Sequence, residues 1–335
     1  MQDTLRDSWE IQEHDFPSHA PLNEQLRFLL GYAVLAPSTR NTQPWKFSVA
    51  GGTIGLFADF SRWQPVADAG RRELYLSLGC ALENLLVAAG HFGFHHELAY
   101  LPDPGNQELV ATVSLGPGGP RSPERAAVGL ETIRRRRADH GVYLPRAVPS
   151  AVIRQLEECV VEPELRLDLI TDSGLKQAVD DLNLQADVRE FADPEFRKEL
   201  GHWIGQGVFG TSWLLSQIGR LAVSSLNLGK ARARKDSELV ESAPVLALVS
   251  ARTDERRHQV KSGQALERLW LLATELGLSV HPMSQALELP DLRREMGRLV
   301  SVGDGFPMQL FRLGYAKALE TGHTPRRPVE EVLIG

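Results

Sequence analysis

Three stretches of this chain combine residue types able to hold a charged or planar ligand. The first is Ala36-Pro37-Ser38-Thr39-Arg40-Asn41-Thr42-Gln43-Pro44-Trp45. Its prolines fix their own φ and bias the preceding residues away from helix, so an ordered turn presenting Ser38, Thr39, Asn41 and Gln43 is expected. Read without context, the same residues also suit a helix-to-strand connection with polar filler. The second stretch is the run Arg134 to Arg137, followed by His140. Guanidinium groups bind phosphate oxygens in pairs and a histidine adds a donor, although a lone basic run also suits a solvated helix end. The third is Pro325-Arg326-Arg327-Pro328. Two arginine pairs on one dianion would form a tight phosphate site, but nothing in the sequence says that they converge.

Other patterns carry less. Gly205-Gln206-Gly207-Val208-Phe209-Gly210 spells the dinucleotide fingerprint, yet a polar, helix-like segment precedes it where the fingerprint needs a strand. The region 201–230 reads instead as an aromatic lid over a planar ligand, or as core packing by Trp203, Phe209 and Trp213. No histidine pair has metal-ligand spacing and no nucleophile elbow stands out, which disfavours metal and hydrolytic chemistry. Cys80 and Cys159 are far apart in apolar surroundings, so buried thiols are expected rather than a disulfide framework. A net charge of -6 and a pI near 6.0 argue against nucleic-acid partners. The polar start lacks the apolar core of a secretory signal, and no run reads as a membrane span; the expected setting is cytoplasmic.

The elements that must position these residues follow from periodicity. A loose N-terminal tail (1–21) leads to a helix over 25–35, the proline-bounded loop, and a hairpin of strands 46–50 and 53–58 turning at Gly51-Gly52. A long helix runs over 72–92 and stops at Gly93, a strand covers 109–115, and 116–123 reads as a linker. Beyond it, helices are expected over 150–160, 173–189, 194–204 and 263–277, and strands over 165–170, 244–250 and 309–314. The two long helices repeat. Gly79, Ala81, Leu82, Glu83, Leu85, Ala89 and Gly93 match Gly263, Ala265, Leu266, Glu267, Leu269, Ala273 and Gly277 at a constant offset of 184. Each is followed by a strand ending in Leu-Gly, so the chain divides into two related halves, 22–120 and 121–335.

Taken together, Ala36-Pro37-Ser38, Asn41, Gln43-Pro44-Trp45, the glycine-ended helix, the Arg-Arg segment and Pro-Arg-Arg-Pro resemble the FMN-dependent nitroreductase superfamily over residues 22–335. The resemblance implies an α+β fold and, because the halves are fused, an intramolecular pseudo-dimer of the internally duplicated branch. It implies that FMN lies at the junction of the halves. Arg136, Arg137 and one or both of Arg326 and Arg327 would hold the phosphate. The family's Arg-Arg-Ser-x-Arg falls on Arg136, Arg137, Ala138, Asp139 and His140, so a hydroxyl is lost and His140 replaces a permanent cation. Ser38, Thr39, Asn41 and Gln43 would contact the flavin from the other half, and Pro282, Met283, Ser284 and Gln285 resemble the stretch whose amides face its N5 and O4. Residues 156–163 echo 30–37, yet Glu164 onward lacks the loop, and residues 17–24 lack the clamp. The first half is thus truncated and one FMN per chain is expected.

The implied activity is hydride transfer from NAD(P)H through FMN to a nitro, quinone or similar acceptor, with flavin N5 the reactive atom and no protein acid–base pair. A flavin-holding protein with an occluded ring is the alternative, and oxidation of an azoline or another specialised metabolite is a third. The substrate is a small molecule, without nucleic-acid or membrane partners. A monomer is expected, with further self-association open.

Overall fold

Arg72–His91 is apolar on nearly every side, so it must be enclosed all round, and every residue from Arg72 to Ala89 is buried. The computed structural model describes residues 8–118, 122–209, 221–224, 237–317 and 322–335. Its longer helices are α1 (Leu22–Ala33), α2 (Arg72–His91), α3 (Ser150–Glu158), α4 (Ser173–Ala192), α5 (Pro194–Gly205), α6 (Arg256–Glu275) and α7 (Pro290–Leu299). The strands are β1 (Trp45–Ala50), β2 (Thr53–Ala58), β3 (Phe94–Tyr100), β4 (Leu109–Pro117), β5 (Leu165–Ile170), β6 (Val245–Ala251), β7 (Ser279–Pro282) and β8 (Phe306–Gly314).

The strands form two antiparallel sheets, in the orders β1-β2-β4-β3 and β5-β6-β8-β7. The second order repeats the first, each strand number raised by four. A long helix lies between the second and third strands of each half, α2 in one and α6 in the other. Even the register slip recurs, between Leu56 and Phe57 where β2 meets β4 and between Val249 and Ser250 where β6 meets β8. This is an α+β fold of two fused, related halves. The halves differ where β1 turns directly into β2, whereas α4 and α5 are inserted between β5 and β6.

The two helices cross at their matched glycines. A Cβ on Gly79 would lie 2.0 Å from the Val260 carbonyl oxygen, and one on Gly263 would lie 2.0 Å from the Leu76 carbonyl oxygen. Leu76 and Val260 are themselves 184 apart, so the contact is reciprocal, as at a two-fold interface. Gly93 and Gly277 then end the two helices with φ of 78° and 76°, the left-handed conformation a helix stop requires. One apolar core runs through the junction, drawing Phe47 and Val113 from one sheet and Val249 and Phe311 from the other. A second lies under α4 and α7.

Several expectations need correction. Among the described residues α2 alone could cross a membrane by length and composition, with a mean hydropathy of 1.2, but it is enclosed in the core. The described part of the N-terminal tail is docked, not loose: Phe16 stacks on Phe92 at 4.1 Å and Ile11 covers Gly31. Gly116 and Pro117 belong to β4 rather than to a linker. The helix expected from Gly263 begins about two turns earlier, at Arg256. Strands β3 and β7 were not foreseen; both are sheet edges.

The glycine crossing predicts that Gly79→Ala or Gly263→Ala destabilises the fold by about 1–3 kcal/mol, because backbone rather than a flexible side chain must give way. Urea unfolding of either variant checks this. Unchanged midpoints would mean the helices do not meet there.

Candidate ligand site

The loop after α1 is held in a conformation that its sequence disfavours. Arg40, Asn41 and Gln43 have φ of 50°, 54° and 52°, in the left-handed region where side chains other than glycine are uncommon. Side chains hold it there. Ser38 Oγ accepts the Gln43 amide at 2.9 Å, Thr39 Oγ1 donates to Glu73 at 2.6 Å, and the Thr39 amide donates to Ser77 Oγ at 3.3 Å. Glu73 and Ser77 lie on α2, so the helix that forms the junction also anchors the loop. Arg40 reaches across to Glu288 of the second half at 2.9 Å and to Gln64 at 2.8 Å.

Sequence could not say whether the basic segments meet; in the structure Arg136 and Arg326 do. The Leu35 carbonyl, at the mouth of the loop, accepts from Arg136 Nη2 at 2.7 Å and from Arg326 Nε and Nη2 at 3.3 Å. Arg326 also donates to Asn41 Oδ1 at 2.9 Å, while Asn41 Nδ2 and Gln43 Nε2 donate back to the Pro325 carbonyl at 3.0 and 3.3 Å. Both arginines are buried, at 2% and 4% exposure. Arg326 finds carbonyl, amide and hydroxyl oxygens but, among the described residues, no carboxylate. Burial, reinforced by the neighbouring Arg136 charge, pushes its guanidinium well below the ordinary arginine range. Two buried cations brought together are costly unless an anion joins them.

The matched glutamates of the repeat carry different burdens. Glu83 faces Arg125 at 2.8 Å and Arg268 at 2.9 Å. Burial raises its carboxyl, yet the two guanidiniums outweigh burial and hold it at about 2. The residue matching Arg268 is Asn84, so Glu267 has lost that partner and keeps Arg136 at 3.0 Å. That contact is off-line for a hydrogen bond. Burial therefore dominates and lifts Glu267 to about 7, against the pull of Arg136. The sequence marked both glutamates through the repeat but gave them no role; a carboxylate at matched positions of the two repeated helices was the signal.

The remaining expected residues are dispersed. Arg327 pairs with Asp59 at 3.5 Å, its amide donates to Gln43 Oε1 at 2.7 Å and its guanidinium to the Gln43 and Trp45 carbonyls, which fastens the C-terminal segment to the loop. Arg137 is half-buried and donates to the Arg135 carbonyl at 3.2 Å. His140 is exposed and lies edge-on to His281, ring centres 4.3 Å apart. Pro282 ends β7, while Met283 is buried in the second core with its amide donating to the Leu310 carbonyl, so that amide is spent on strand pairing. Ser284 keeps a buried hydroxyl that has no hydrogen-bond partner among the described residues, and Gln285 opens the short helix that ends in Glu288. Of the expected lid, 210–220 and 225–230, with Trp213, lie outside the described residues. Val208 belongs to the described part, and its carbonyl accepts from Asn41 Nδ2 at 2.6 Å. Trp203 lies under Arg62.

At the corresponding position of the other half the small polar groups are replaced. Glu164 stands where Ser38 does after the echoed segment, and Lys261 matches Ser77. These two form an ion pair, with His258 nearby at 4.0 Å. Arg268 reaches Glu162 at 2.9 Å, and Tyr100 hydrogen-bonds Gln264 at 2.6 Å. Side chains thus satisfy one another there. Among the described residues no group of histidine, cysteine and carboxylate side chains could hold a metal ion.

The sequence profile of the nitroreductase family matches residues 130–315, more than half of the chain. A Mycobacterium tuberculosis protein provisionally described as NAD(P)H nitroreductase Rv3131 is 29% identical over 326 residues, covering 94% of this chain and 93% of its own. The Serratia protein PigM, described in the same provisional way, is 23% identical and covers 92% and 93%. Among solved structures, the FMN- and NADPH-dependent nitroreductase NfnB of a Sphigopyxis strain is 18% identical with a TM-score of 0.42, covering 61% of this chain and 97% of that one.

The raised Glu267 carboxyl has a stability consequence. In the unfolded chain it ionises near pH 4.5, whereas the folded protein keeps its proton to about pH 7. The folded state binds more protons in that window, so stability should fall as pH rises through it, by roughly 3 kcal/mol for this group. Glu267→Gln should flatten the profile between pH 4.5 and 7, as read by urea unfolding. An equal slope in both proteins would place the titration elsewhere.

Proposed function

The chain belongs to the nitroreductase family, and on that premise we propose that it is an FMN-binding oxidoreductase passing hydride from NAD(P)H to a nitro, quinone or similar small acceptor. One observation carries the cofactor assignment: Arg136 and Arg326, from opposite ends of the second half, meet on the Leu35 carbonyl beside the loop of the first half. A phosphate dianion is the group that such a buried, carboxylate-poor pair lacks. The Ser284 hydroxyl, buried and without a hydrogen-bond partner among the described residues, is a further polar group able to meet a ligand.

FMN, when bound, would supply the hydride chemistry at its N5. The chain's own part is binding, orientation and exclusion of water. Arg136 and Arg326 would hold the phosphate, with Arg137 and His140 as outer donors. Ser38, Thr39, Asn41 and Gln43 would face the ring from the first half, and the 282–285 stretch from the second, through its residues beyond Met283. Arg327 braces the loop through Gln43. The ion-paired filling around Glu164 and Lys261 supports a single flavin per chain, in a monomeric pseudo-dimer working in the cytoplasm on small molecules.

The contact between Val208 and Asn41 favours a second reading, in which the segment after α5 closes over the ring and the protein holds its flavin rather than turning it over. Anaerobic titration separates the two. NAD(P)H should bleach the bound flavin in the oxidoreductase, whereas only dithionite would do so in a holding protein. Arg136→Ala or Arg326→Ala should weaken FMN binding about tenfold to a hundredfold, each removing charge-assisted hydrogen bonds. Arg166→Ala, on the surface of β5, should leave it unchanged. Fluorescence titration of FMN checks this, and equal losses in all three would remove the single-site assignment.

A further inference from the structure

A narrow cleft of about 190 Å³, wide enough for one water-sized group, lies in the first half between the loop after α1 and the start of α2. Thr39 and Thr42 of the loop, Arg62 and Gln64 of the connection after β2, Asp68, and Glu73 of α2 contribute to its wall. The acceptors in that wall are spent. The Asp68 carboxyl oxygens take the Glu73 and Leu74 amides at 3.1 and 2.9 Å, and those of Glu73 take Thr39 Oγ1 at 2.6 Å and Arg72 at 2.5 Å. The Thr42 carbonyl takes Arg62 Nε.

A donor is left over. The Gln64 side-chain oxygen accepts from Arg40 at 2.8 Å, which fixes which end of the amide is which. Gln64 is 4% exposed, and its Nε2 is buried with no acceptor among the described residues. An amide nitrogen left unmet in the interior is costly, so the cleft suits a group that accepts. Among the described residues Arg62 donates only through Nε and lies over the Trp203 ring at 5.4 Å, which leaves its terminal nitrogens as further donors. The cleft also adjoins the place expected for the flavin ring. Thr39 belongs to both, and the Arg40 that holds Gln64 reaches Glu288, at the end of the short helix that Gln285 opens.

We propose that this cleft is the subsite for the electron acceptor, in which Gln64 Nε2 and Arg62 hold an oxygen of a quinone or nitro group. The proposal rests on the reading of the chain as an FMN-binding oxidoreductase and names the residues that select what it reduces. Such an oxygen is the size of a water and brings the lone pairs that the wall lacks; an ammonium group or an apolar edge would leave the donors unmet. A quinone bound there takes a hydride from the reduced cofactor, which is oxidised by two electrons, and a proton from solvent, and leaves as the hydroquinone. Negative charge grows on the quinone oxygen as the hydride arrives. Donors at that oxygen therefore favour the transition state over the bound quinone.

Two substitutions separate this role from a merely bracing one. At pH 8 the carboxylate of Gln64→Glu still accepts from Arg40 but no longer donates, whereas Gln64→Met does neither. The FMN-loaded protein is reduced anaerobically with one equivalent of dithionite, and its reoxidation is followed in the flavin band by stopped flow. The oxidants are menadione, a quinone, and ferricyanide, which takes single electrons without a hydrogen-bonded seat. Both variants should slow the menadione reaction about tenfold to a hundredfold and leave the ferricyanide reaction within about twofold. Without any reductant, the concentration of menadione that perturbs the oxidised flavin band should rise several-fold in both. A loss in Gln64→Met alone would make Gln64 a brace for Arg40 and overturn the proposal. Unchanged menadione rates in both variants would mean that the cleft holds only water, and equal losses with both oxidants would mean a general disturbance of the flavin; either overturns it. Because dithionite replaces NAD(P)H, a menadione-specific loss in a protein that NAD(P)H cannot reduce would leave the subsite standing and remove the NAD(P)H reading. Reduced protein that menadione does not reoxidise would overturn the subsite, and a chain that binds no FMN would overturn both.

Discussion

The backbone contact between α2 and α6 is the constraint on which the rest depends. At Gly79 and Gly263 each helix lies against a carbonyl of the other, closer than any side chain would permit. Helices so close leave no room for water or long side chains at the crossing. Whatever carboxylates they carry one turn further on, Glu83 and Glu267, must therefore find their partners inside the protein. The positions of Arg125, Arg136 and Arg268 follow from that need. A buried ion is tolerated only where a counter-ion meets it; Arg268 comes from α6 itself, whereas Arg125 and Arg136 are brought in from segments outside the two helices.

The near-symmetry of the junction makes its departures informative. On one side Glu83 is satisfied by two guanidiniums, and the adjoining Glu164, Lys261 and Glu162 complete a closed ionic filling. On the other side Asn84 replaces the second arginine, so among the described residues Glu267 has one ion-pair partner within 4 Å, the poorly aligned Arg136, while Arg326 enters as a buried cation with no carboxylate in contact. The first side is electrostatically complete and the second is not. An incomplete buried charge set is where a ligand contributes most, since it can offset a desolvation cost already incurred.

Much of this was legible in the sequence. The constant offset of 184 located the crossing helices and both glycine stops, because close approach and a left-handed residue each demand glycine. The Ala36 to Trp45 loop was readable from its prolines, which restrict the backbone whatever surrounds it. Strands β3 and β7 were not readable, for a physical reason: edge strands face solvent on one side, so β3 carries His95, His96 and Glu97, and β7 is only four residues long. The convergence of Arg136 with Arg326 could not be read either, since it joins segments nearly two hundred residues apart through a backbone carbonyl that has no sequence signature. For the same reason Met283 could not be seen to spend its amide on β8.

The central claim is that one side of a two-fold junction is a flavin site and the other is filled. The ratio of flavin to chain in protein saturated with FMN and freed of excess tests it most directly, read from the visible flavin band against protein concentration. The account predicts a ratio near one. A ratio near two would show that the Glu164 and Lys261 side also binds, and a ratio near zero would show that the incomplete charge set at Arg136 and Arg326 serves something other than FMN.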